Sequence, residues 1–176
     1  MHEKEKKMQS ILILSAFEGS ILSFKGPLIE DLIKKKYIVH VLAPNFSKKT
    51  SNKLINMGAK PYEISLSRNG LNPFEDLLNL IKLIIIMQKI KPDIFLGYYI
   101  KPVIWGSLAA FIARVPKRVA MIEGLGVIFT KKRKAETYKT KIVRKLISLL
   151  YKLSLSVSQF VLFLNDDDKR EFEDKK

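Results

Sequence analysis

The sequence predicts an α/β protein whose core is a doubly wound parallel sheet of about six strands, with helices on both faces. Two observations predict this fold. Short runs rich in Ile, Val and Leu recur along the chain, and segments with a helical spacing of apolar residues lie between them. The runs are apolar at nearly every position, whereas a half-exposed strand would alternate polar and apolar residues. Such strands are buried on both faces, as in parallel sheets.

Pro, Gly and polar turns bound each element. The predicted strands are Ile11 to Phe17, Tyr37 to Ala43, Tyr62 to Leu66, Ile94 to Tyr98, Arg118 to Ile122 and Gln159 to Leu164. The predicted helices are Leu28 to Lys36, Ser51 to Met57, Phe74 to Ile90, Val103 to Arg114 and Tyr138 to Ser158, with a last helix that begins at Asp166. The third strand is the least apolar of the runs.

Proline marks where several of these elements begin. Pro27 fits the first turn of the first helix, and Asn72-Pro73 begins the third helix. Pro92-Asp93 ends that helix and begins the fourth strand, while Val115-Pro116 begins the fifth. The strand, helix and strand from Ile94 to Ile122 therefore have the spacing of a parallel crossover.

Length and composition predict one domain. The chain has 176 residues, of which 47% are hydrophobic and 28% are charged. We expect a charged tail over residues 1–10, a domain over residues 11–165 and a polar end over residues 166–176. The absence of cysteine excludes disulfides and thiolate metal sites. The charged start and the short apolar runs predict a cytoplasmic protein with no spanning helix, since a span needs about 20 apolar residues.

The loops that follow the strands are the candidate binding site, because ligands of parallel sheets lie at the carboxyl ends of the strands. The first of these loops contains Gly19, but its glycines do not match a phosphate-binding fingerprint. It is either a simple connection or a loop that contacts a ligand. Arg68 and Asn69 follow the third strand, where an arginine either hydrogen-bonds a phosphate or sugar or is solvated.

The fourth and fifth strands deliver further polar residues to the same edge. Tyr99 and Lys101 follow the fourth strand, and Glu123 follows the fifth, directly before Gly124 and Gly126. These glycines allow the close approach of a ligand or of another backbone segment. Glu123 can accept a proton or bind hydroxyl groups, or it can be an ordinary surface residue. The histidines and acidic residues show no metal-ligand spacing, so we expect no metal site.

Basic residues are concentrated in one part of the chain. Residues 131 to 152 contain nine Lys or Arg and one Glu, which supplies +8 of the net charge of +15. Candidate membrane-surface residues here are Lys131, Lys132, Arg133, Lys134, Lys141, Arg144 and Lys145. Apolar residues recur at helical spacing, and we expect one face that they form to pack on the sheet: Ile142, Leu146, Leu149, Leu150, Leu153 and Val157. The basic residues then meet solvent or anionic lipid headgroups. No motif for specific nucleic-acid binding is present.

Six segments, taken in order, resemble those of a known family. They are SFKGPLIEDL (Ser23 to Leu32), VHVLAP (Val39 to Pro44), LSRNGLNPFEDL (Leu66 to Leu77), KPDIFLGYYIKPVIWGSLAA (Lys91 to Ala110), VPKRVAMIEGLGVIFT (Val115 to Thr130) and FLNDDD (Phe163 to Asp168). Together they resemble the N-terminal, acceptor-side domain of family 4 glycosyltransferases of the GT-B architecture, which build bacterial surface glycans on a polyprenyl carrier.

The resemblance implies a Rossmann-like domain that binds a sugar acceptor on a polyprenyl diphosphate, in a protein attached peripherally to the inner face of the cytoplasmic membrane. Transfer from a UDP-sugar would retain configuration and need no metal or other cofactor. The family binds the donor chiefly in a second domain, which is absent from this sequence, so we expect the isolated chain to be inactive. Glu123 stands where relatives often have a small hydroxyl residue. An alternative is a non-catalytic, membrane-anchoring subunit that binds the acceptor and recruits a separate donor-binding chain.

Overall fold

The computed structural model describes residues 8–66, 73–123 and 138–173. Its strands are β1 (Ser10–Leu14), β2 (Ile38–Ala43), β3 (Lys60–Glu63), β4 (Ile94–Tyr98), β5 (Lys117–Ile122) and β6 (Phe160–Phe163). Its α-helices are α1 (Gly26–Lys34), α2 (Lys48–Met57), α3 (Pro73–Ile90), α4 (Ser107–Ile112), α5 (Tyr138–Ser156) and α6 (Asp166–Glu173). Two π-helical segments, π1 (Ile21–Lys25) and π2 (Pro102–Gly106), lead directly into α1 and α4.

The strands form one parallel sheet in the order β3-β2-β1-β4-β5-β6. This is the doubly wound arrangement of two halves that meet between β1 and β4. The predicted fold class is therefore confirmed, including the number of strands.

Two strands differ from their predicted bounds by three residues at one end: β1 ends at Leu14 rather than at Phe17, and the third strand was misplaced at both ends. The third strand begins at Lys60 and ends at Glu63, whereas the sequence predicted Tyr62 to Leu66. It pairs with β2 from His40↔Lys60 to Ala43↔Glu63. Pairing at this edge of the sheet selects a polar segment, because β3 has only one neighbour and its side chains are half-buried or exposed.

Alternate residues of the central strands pack into two separate cores. Ile11 and Ile13 of β1 join a core with Ile29 of α1 and Leu54 of α2, so these helices cover one face. Leu12 and Leu14 point to the opposite face because successive strand residues alternate. They pack there with Leu83 and Met87 of α3 and with Ala109 and Ala110 of α4.

A third core lies beneath α5. Ile147 and Tyr151 of this helix are buried against Ala120 and Ile122 of β5 and against Val103 of π2. The predicted packing face of α5 was therefore wrong for four of its six residues, because Ile142, Leu146, Leu149 and Leu153 are each about half exposed. The other two, Leu150 and Val157, are half-buried, and Leu150 packs against this core. The helix has apolar residues on more than one side. The side that contains Ile147 packs on β5, whose residues there are the small Ala120 and the branched Ile122. Helical spacing alone does not choose between such sides.

The chain passes very close to the sheet at the start of π2. A Cβ atom on Gly97 of β4 would lie 2.9 Å from the carbonyl oxygen of Pro102. Only glycine therefore allows π2 to begin directly above the end of β4. This close contact places Tyr99 and Lys101 at the carboxyl edge of the sheet.

Candidate functional site

The site lies where β1 and β4 end side by side. The segment after β1 leads through π1 to one face of the sheet, and the segment after β4 leads through π2 to the other. Ligands of open α/β sheets bind at this divergence. A π-helical segment borders it on each side, and π-helical turns occur frequently at functional sites.

A buried ion pair joins two of the loops at this edge. Lys25 is the last residue of π1, and Glu123 directly follows β5. The Lys25 ammonium contacts Oε1 of Glu123, and the two side chains are only 8% and 11% exposed. Burying an unpaired charge raises the free energy of the folded state, so each of these charged side chains depends on the other to remain buried.

Tyr98, the last residue of β4, lies beside this pair. Nζ of Lys25 is 5.0 Å from the centroid of the Tyr98 ring, which is within the range of a cation–π contact. The Tyr98 hydroxyl is 3.1 Å from Oγ of Ser20, which in turn is 3.1 Å from Oγ of Ser15. Burial raises the pKa of Tyr98 to about 12, although its hydrogen bonds to the two serines oppose that rise. The hydroxyl is therefore protonated at neutral pH and able to donate a hydrogen bond.

A second buried ion pair lies beside π2. Nζ of Lys101 donates to Oδ1 of Asp76 on α3 at 2.9 Å, and both residues are buried. Tyr99 precedes this lysine with φ of 71°, in the left-handed region that non-glycine residues seldom occupy. The rings of Tyr98 and Tyr99 are 5.0 Å apart between centroids. Strained residues of this kind are concentrated at functional sites.

The structure brings several predicted site residues to one edge of the sheet. Tyr99, Lys101 and Glu123 follow neighbouring strands, and Gly19 lies in the loop after β1. The predictions for Arg68, Asn69, Gly124 and Gly126 concern residues outside the described part of the chain. All of these binding assignments stay predictions.

Sequence reasoning missed Lys25, Tyr98 and Asp76. Lys25 stands directly before Gly26-Pro27, and that Gly-Pro pair marks a helix start next to the first loop. Its position beside the first loop was the only feature of the sequence that indicated Lys25 as a site residue. In the sequence, Tyr98 belongs to an apolar strand and Asp76 belongs to the charged first turn of a helix. Their polar atoms become site groups only because β4 ends and α3 begins at this edge.

The membrane-surface prediction can be followed only in part. Lys141 and Lys145 of α5 are exposed. Lys131, Lys132, Arg133 and Lys134, together with the Arg144 side chain, lie outside what the structure describes. None of the described helices is both long and apolar enough to cross a membrane. Within the same residues, no three His, Cys, Asp or Glu side chains are arranged to hold a metal ion.

Comparison with known proteins identifies the family. Residues 11–165 match the family described as glycosyl transferase 4-like. Over 155 residues the chain is 32% identical to the N,N'-diacetylbacillosaminyl-diphospho-undecaprenol alpha-1,3-N-acetylgalactosaminyltransferase of Campylobacter jejuni. The aligned region is 88% of this chain but only 40% of that enzyme.

Solved structures share the fold at low sequence identity. MurG of Acinetobacter baumannii has a TM-score of 0.57 and 15% identity, with 89% of this chain and 42% of MurG covered. A glycosyltransferase from Rickettsia africae has a TM-score of 0.61 and 16% identity, with coverage of 93% and 38%. A UDP-N-acetylglucosamine 2-epimerase has a TM-score of 0.63 and 17% identity, with coverage of 97% and 46%.

These matches confirm the resemblance found in the sequence. The chain has the fold of one Rossmann-like half of the GT-B architecture and spans less than half the length of each protein compared. Because the family match covers residues 11–165, the chain belongs to the glycosyl transferase 4-like family.

Proposed function

We propose that this chain is the acceptor-side domain of a glycosyltransferase. It binds a sugar acceptor carried on a polyprenyl diphosphate at the inner face of the cytoplasmic membrane, for retaining, metal-independent transfer from a UDP-sugar. The donor is bound by a donor-binding half of the GT-B kind, and this chain alone does not turn over. The Campylobacter relative supports the acceptor class, because its name specifies a diphospho-undecaprenol substrate.

The observation that carries this proposal is the convergence of hydrogen-bonding groups where β1 and β4 diverge. The Glu123 carboxylate and the Lys25 ammonium group lie there, 11% and 8% exposed and paired with each other, and the Tyr98 hydroxyl beside them is buried and lies 3.1 Å from Oγ of Ser20. A sugar presents several hydroxyl groups, each able to donate and to accept a hydrogen bond. A set that includes both donors and acceptors matches such a ligand better than a purely cationic site would.

The outer surface of helices α3, α4 and α5 supports attachment to a membrane. These helices are neighbours on one face of the sheet. Their exposed apolar residues are Phe74, Leu77, Leu78, Ile81 and Ile85 on α3, Phe111 and Ile112 on α4, and Ile142, Leu146, Leu149 and Leu153 on α5. Groups of exposed apolar residues on neighbouring helices are typical of interaction sites.

Exposed lysines surround this surface. Lys82 and Lys89 lie on α3, and Lys141, Lys145 and Lys152 lie on α5. Apolar residues beside cations are typical of helices that lie in the interface of an anionic membrane. Each cation near such a surface contributes about 1 kcal/mol of attraction. A lipid-linked acceptor requires this proximity, since its polyprenyl chain stays in the bilayer.

A transfer assay tests the proposed function. Phosphatidylglycerol vesicles containing undecaprenyl-diphosphate sugars are incubated with a panel of UDP-sugars and with the 176-residue chain, alone or together with the donor-binding half of the Campylobacter relative. We expect turnover only when both are present, with the donor's anomeric configuration retained and with full activity in EDTA. We also expect Lys25→Arg and Glu123→Gln to raise KM for the acceptor, whereas Lys34→Met, an exposed change on α1, leaves KM unchanged.

Two outcomes would contradict the proposal. Efficient transfer by the chain alone would show that it needs no donor-binding half. Binding to acceptor vesicles without turnover, even when a folded donor-binding half is supplied, would favour the non-catalytic recruiting subunit.

A further inference from the structure

The backbone that leaves β4 makes an unusual turn at Tyr99. Successive side chains of a strand point to opposite faces of the sheet, and Tyr98 points to the face that α1 and α2 cover. Continued alternation would place Tyr99 on the α3 side. Instead, φ of Tyr99 is 71°, and its ring packs against the same core as Tyr98. The left-handed turn therefore puts two consecutive tyrosine rings on one side of the sheet.

The two rings extend the contacts of the buried ion pair between Glu123 and Lys25. The Lys25 ammonium lies 5.0 Å from the centroid of the Tyr98 ring, and the centroids of the Tyr98 and Tyr99 rings are 5.0 Å apart. Tyr98 is fully buried, whereas Tyr99 is half-buried. Of these two aromatic rings, Tyr99 is therefore the one that a ligand can reach.

The left-handed backbone of Tyr99 is unfavourable for a bulky residue and persists only where its surroundings hold it. Before the turn, Tyr98 is fully buried and its hydroxyl lies 3.1 Å from Oγ of Ser20. After the turn, the backbone amide of Val103 donates to the carbonyl oxygen of Tyr99 at 2.9 Å. Glycine would adopt the same φ without strain. A tyrosine at this position therefore indicates that the ring itself has a function.

Asp76 anchors the other end of this turn. Two residues after Tyr99, Nζ of Lys101 donates to Oδ1 of Asp76 at 2.9 Å. Asp76 is 2% exposed and belongs to α3, which Leu83 and Met87 hold against the opposite face of the sheet. The ion pair thus fixes Lys101 to the α3 side, while the Tyr99 ring lies on the α1 side. The backbone between them must cross from one side to the other, which is what the left-handed turn does.

We propose that the Tyr99 ring is the surface on which the sugar ring of the acceptor stacks, and that Asp76 is a positioning residue that holds this surface in place through Lys101. This inference rests on the proposed function. The C–H groups of a sugar ring form an apolar face that packs on an aromatic ring, while its hydroxyl groups need polar partners nearby. Glu123 lies at the same edge of the sheet and can supply one. Because Asp76 is buried, it acts through Lys101 rather than by contact with the sugar.

Vesicle binding with and without a sugar tests the role of Tyr99. Phosphatidylglycerol vesicles carry either undecaprenyl diphosphate or the same lipid joined to N,N'-diacetylbacillosamine, N-acetylglucosamine or N-acetylgalactosamine. The ratio of the affinities with and without the sugar, which we call the sugar ratio, separates the sugar contact from membrane attachment. We expect Tyr99→Leu to lower the sugar ratio at least about threefold and to leave binding to the sugar-free vesicles unchanged.

Two control variants define what the ring contributes. Tyr99→Phe keeps the aromatic face and should keep the sugar ratio of the unaltered chain. Tyr37→Leu removes another half-buried tyrosine that packs against the same core, but it lies directly before β2, at the opposite edge of the sheet. It should also keep the sugar ratio, so a general loss of aromatic packing is distinguished from loss of the sugar contact.

The double variant Asp76→Leu/Lys101→Met tests the positioning role. It removes both charges at once, so that no unpaired charge stays buried, and its folding is verified by thermal unfolding. We expect it to lower the sugar ratio about as much as Tyr99→Leu does. Adding Tyr99→Leu to it should cause no further loss, because both changes act on one contact. Asp76→Asn, which keeps the shape of the side chain, is measured alongside and should lower the sugar ratio in the same way.

Three results would overturn the inference. They are an unchanged sugar ratio for Tyr99→Leu, an unchanged sugar ratio for both Asp76 variants, and losses that add in the triple variant. In each case the unaltered chain still prefers vesicles that carry a sugar, so the proposed function stands. Equal affinity of the unaltered chain for vesicles with and without each of the three sugars would overturn the proposed function, and this inference with it.

Discussion

At the scale of single residues, the site depends on contacts between distant parts of the chain. Lys25 and Glu123 are 98 positions apart and meet only because β1, β4 and β5 end at one edge of the sheet. The sequence predicted Glu123 as a site residue but provided no partner for it. Its neighbour Lys25 was part of a recognised motif, yet nothing in that motif indicates that the lysine is buried.

Removing one partner of this ion pair should destabilise the protein. We expect Lys25→Met or Glu123→Gln to lower the free energy of unfolding by about 3–5 kcal/mol, because each leaves an uncompensated buried group. The double variant Lys25→Met/Glu123→Leu should recover most of that loss. Urea denaturation measures all three. The control variant Lys145→Met, which changes an exposed residue, should have a free energy of unfolding within about 0.5 kcal/mol of that of the unaltered protein. Losses as small as this for Lys25→Met and Glu123→Gln would contradict a stabilising role of the buried ion pair.

His40 should make stability depend on pH. It is buried in β2, its Nδ1 lies 3.2 Å from the Tyr62 hydroxyl, and burial followed by the charge of Lys60 lowers its pKa below 6.5. Below about pH 6.5 the unfolded chain therefore binds a proton that the native protein does not, so the free energy of unfolding falls as the pH falls. Above that pH both states are neutral and the effect is absent.

Urea denaturation of the unaltered protein and of His40→Gln at pH 7.5, 6.5 and 5.5 checks this expectation. The difference between the two curves isolates His40, because His2 and the carboxyl groups titrate in both proteins. We expect the variant to lose less stability between pH 6.5 and 5.5. Equal losses would show that His40 titrates alike in the folded and unfolded states.

At the scale of elements, α5 shows how far periodicity predicts structure. The sequence correctly predicted where this helix begins and that it combines apolar and basic residues. It predicted the packing face only in part, because Ile147 and Tyr151, with Leu150 beside them, pack against β5 and π2, while Ile142, Leu146, Leu149 and Leu153 stay exposed. The exposed stripe is the part of this element that we assign to membrane contact.

The two sides of α5 should respond differently to substitution. Leu149→Ser/Leu153→Ser should leave the free energy of unfolding nearly unchanged and weaken binding to phosphatidylglycerol vesicles, because both side chains are already exposed. Ile147→Ala should cost about 2–5 kcal/mol of stability through the cavity it creates. Urea denaturation and vesicle sedimentation separate the two effects. Unchanged vesicle binding by the double serine variant would remove this stripe from the membrane surface.

At the scale of the whole molecule, charge and apolar surface act together. The net charge of +15 attracts any polyanion, and α3, α4 and α5 also expose apolar residues, for which a membrane has an apolar interior and a nucleic acid has none. The two contributions differ in their response to salt. Electrostatic attraction is screened as the Debye length falls from about 10 Å at 0.1 M to about 3 Å at 1 M, whereas apolar contacts persist.

Binding to phosphatidylglycerol vesicles should therefore weaken with added NaCl but retain a clear remainder at 1 M. Binding to duplex DNA of random sequence, which offers charge alone, should be lost over the same range. Sedimentation with vesicles and fluorescence anisotropy with DNA give the two salt profiles. If vesicle binding also vanished at 1 M salt, attachment would be purely electrostatic.

The sequence by itself determined the parallel six-stranded sheet, the helices that cover it and the family, because these depend on local periodicity, turn residues and ordered motifs. Only the tertiary structure decided that Lys25 pairs with Glu123, which side of α5 is buried and that Phe160 and Leu162 of β6 are exposed. The physical reason is that burial and ion pairing depend on which distant segments become neighbours. Patterns within a single element do not contain that information.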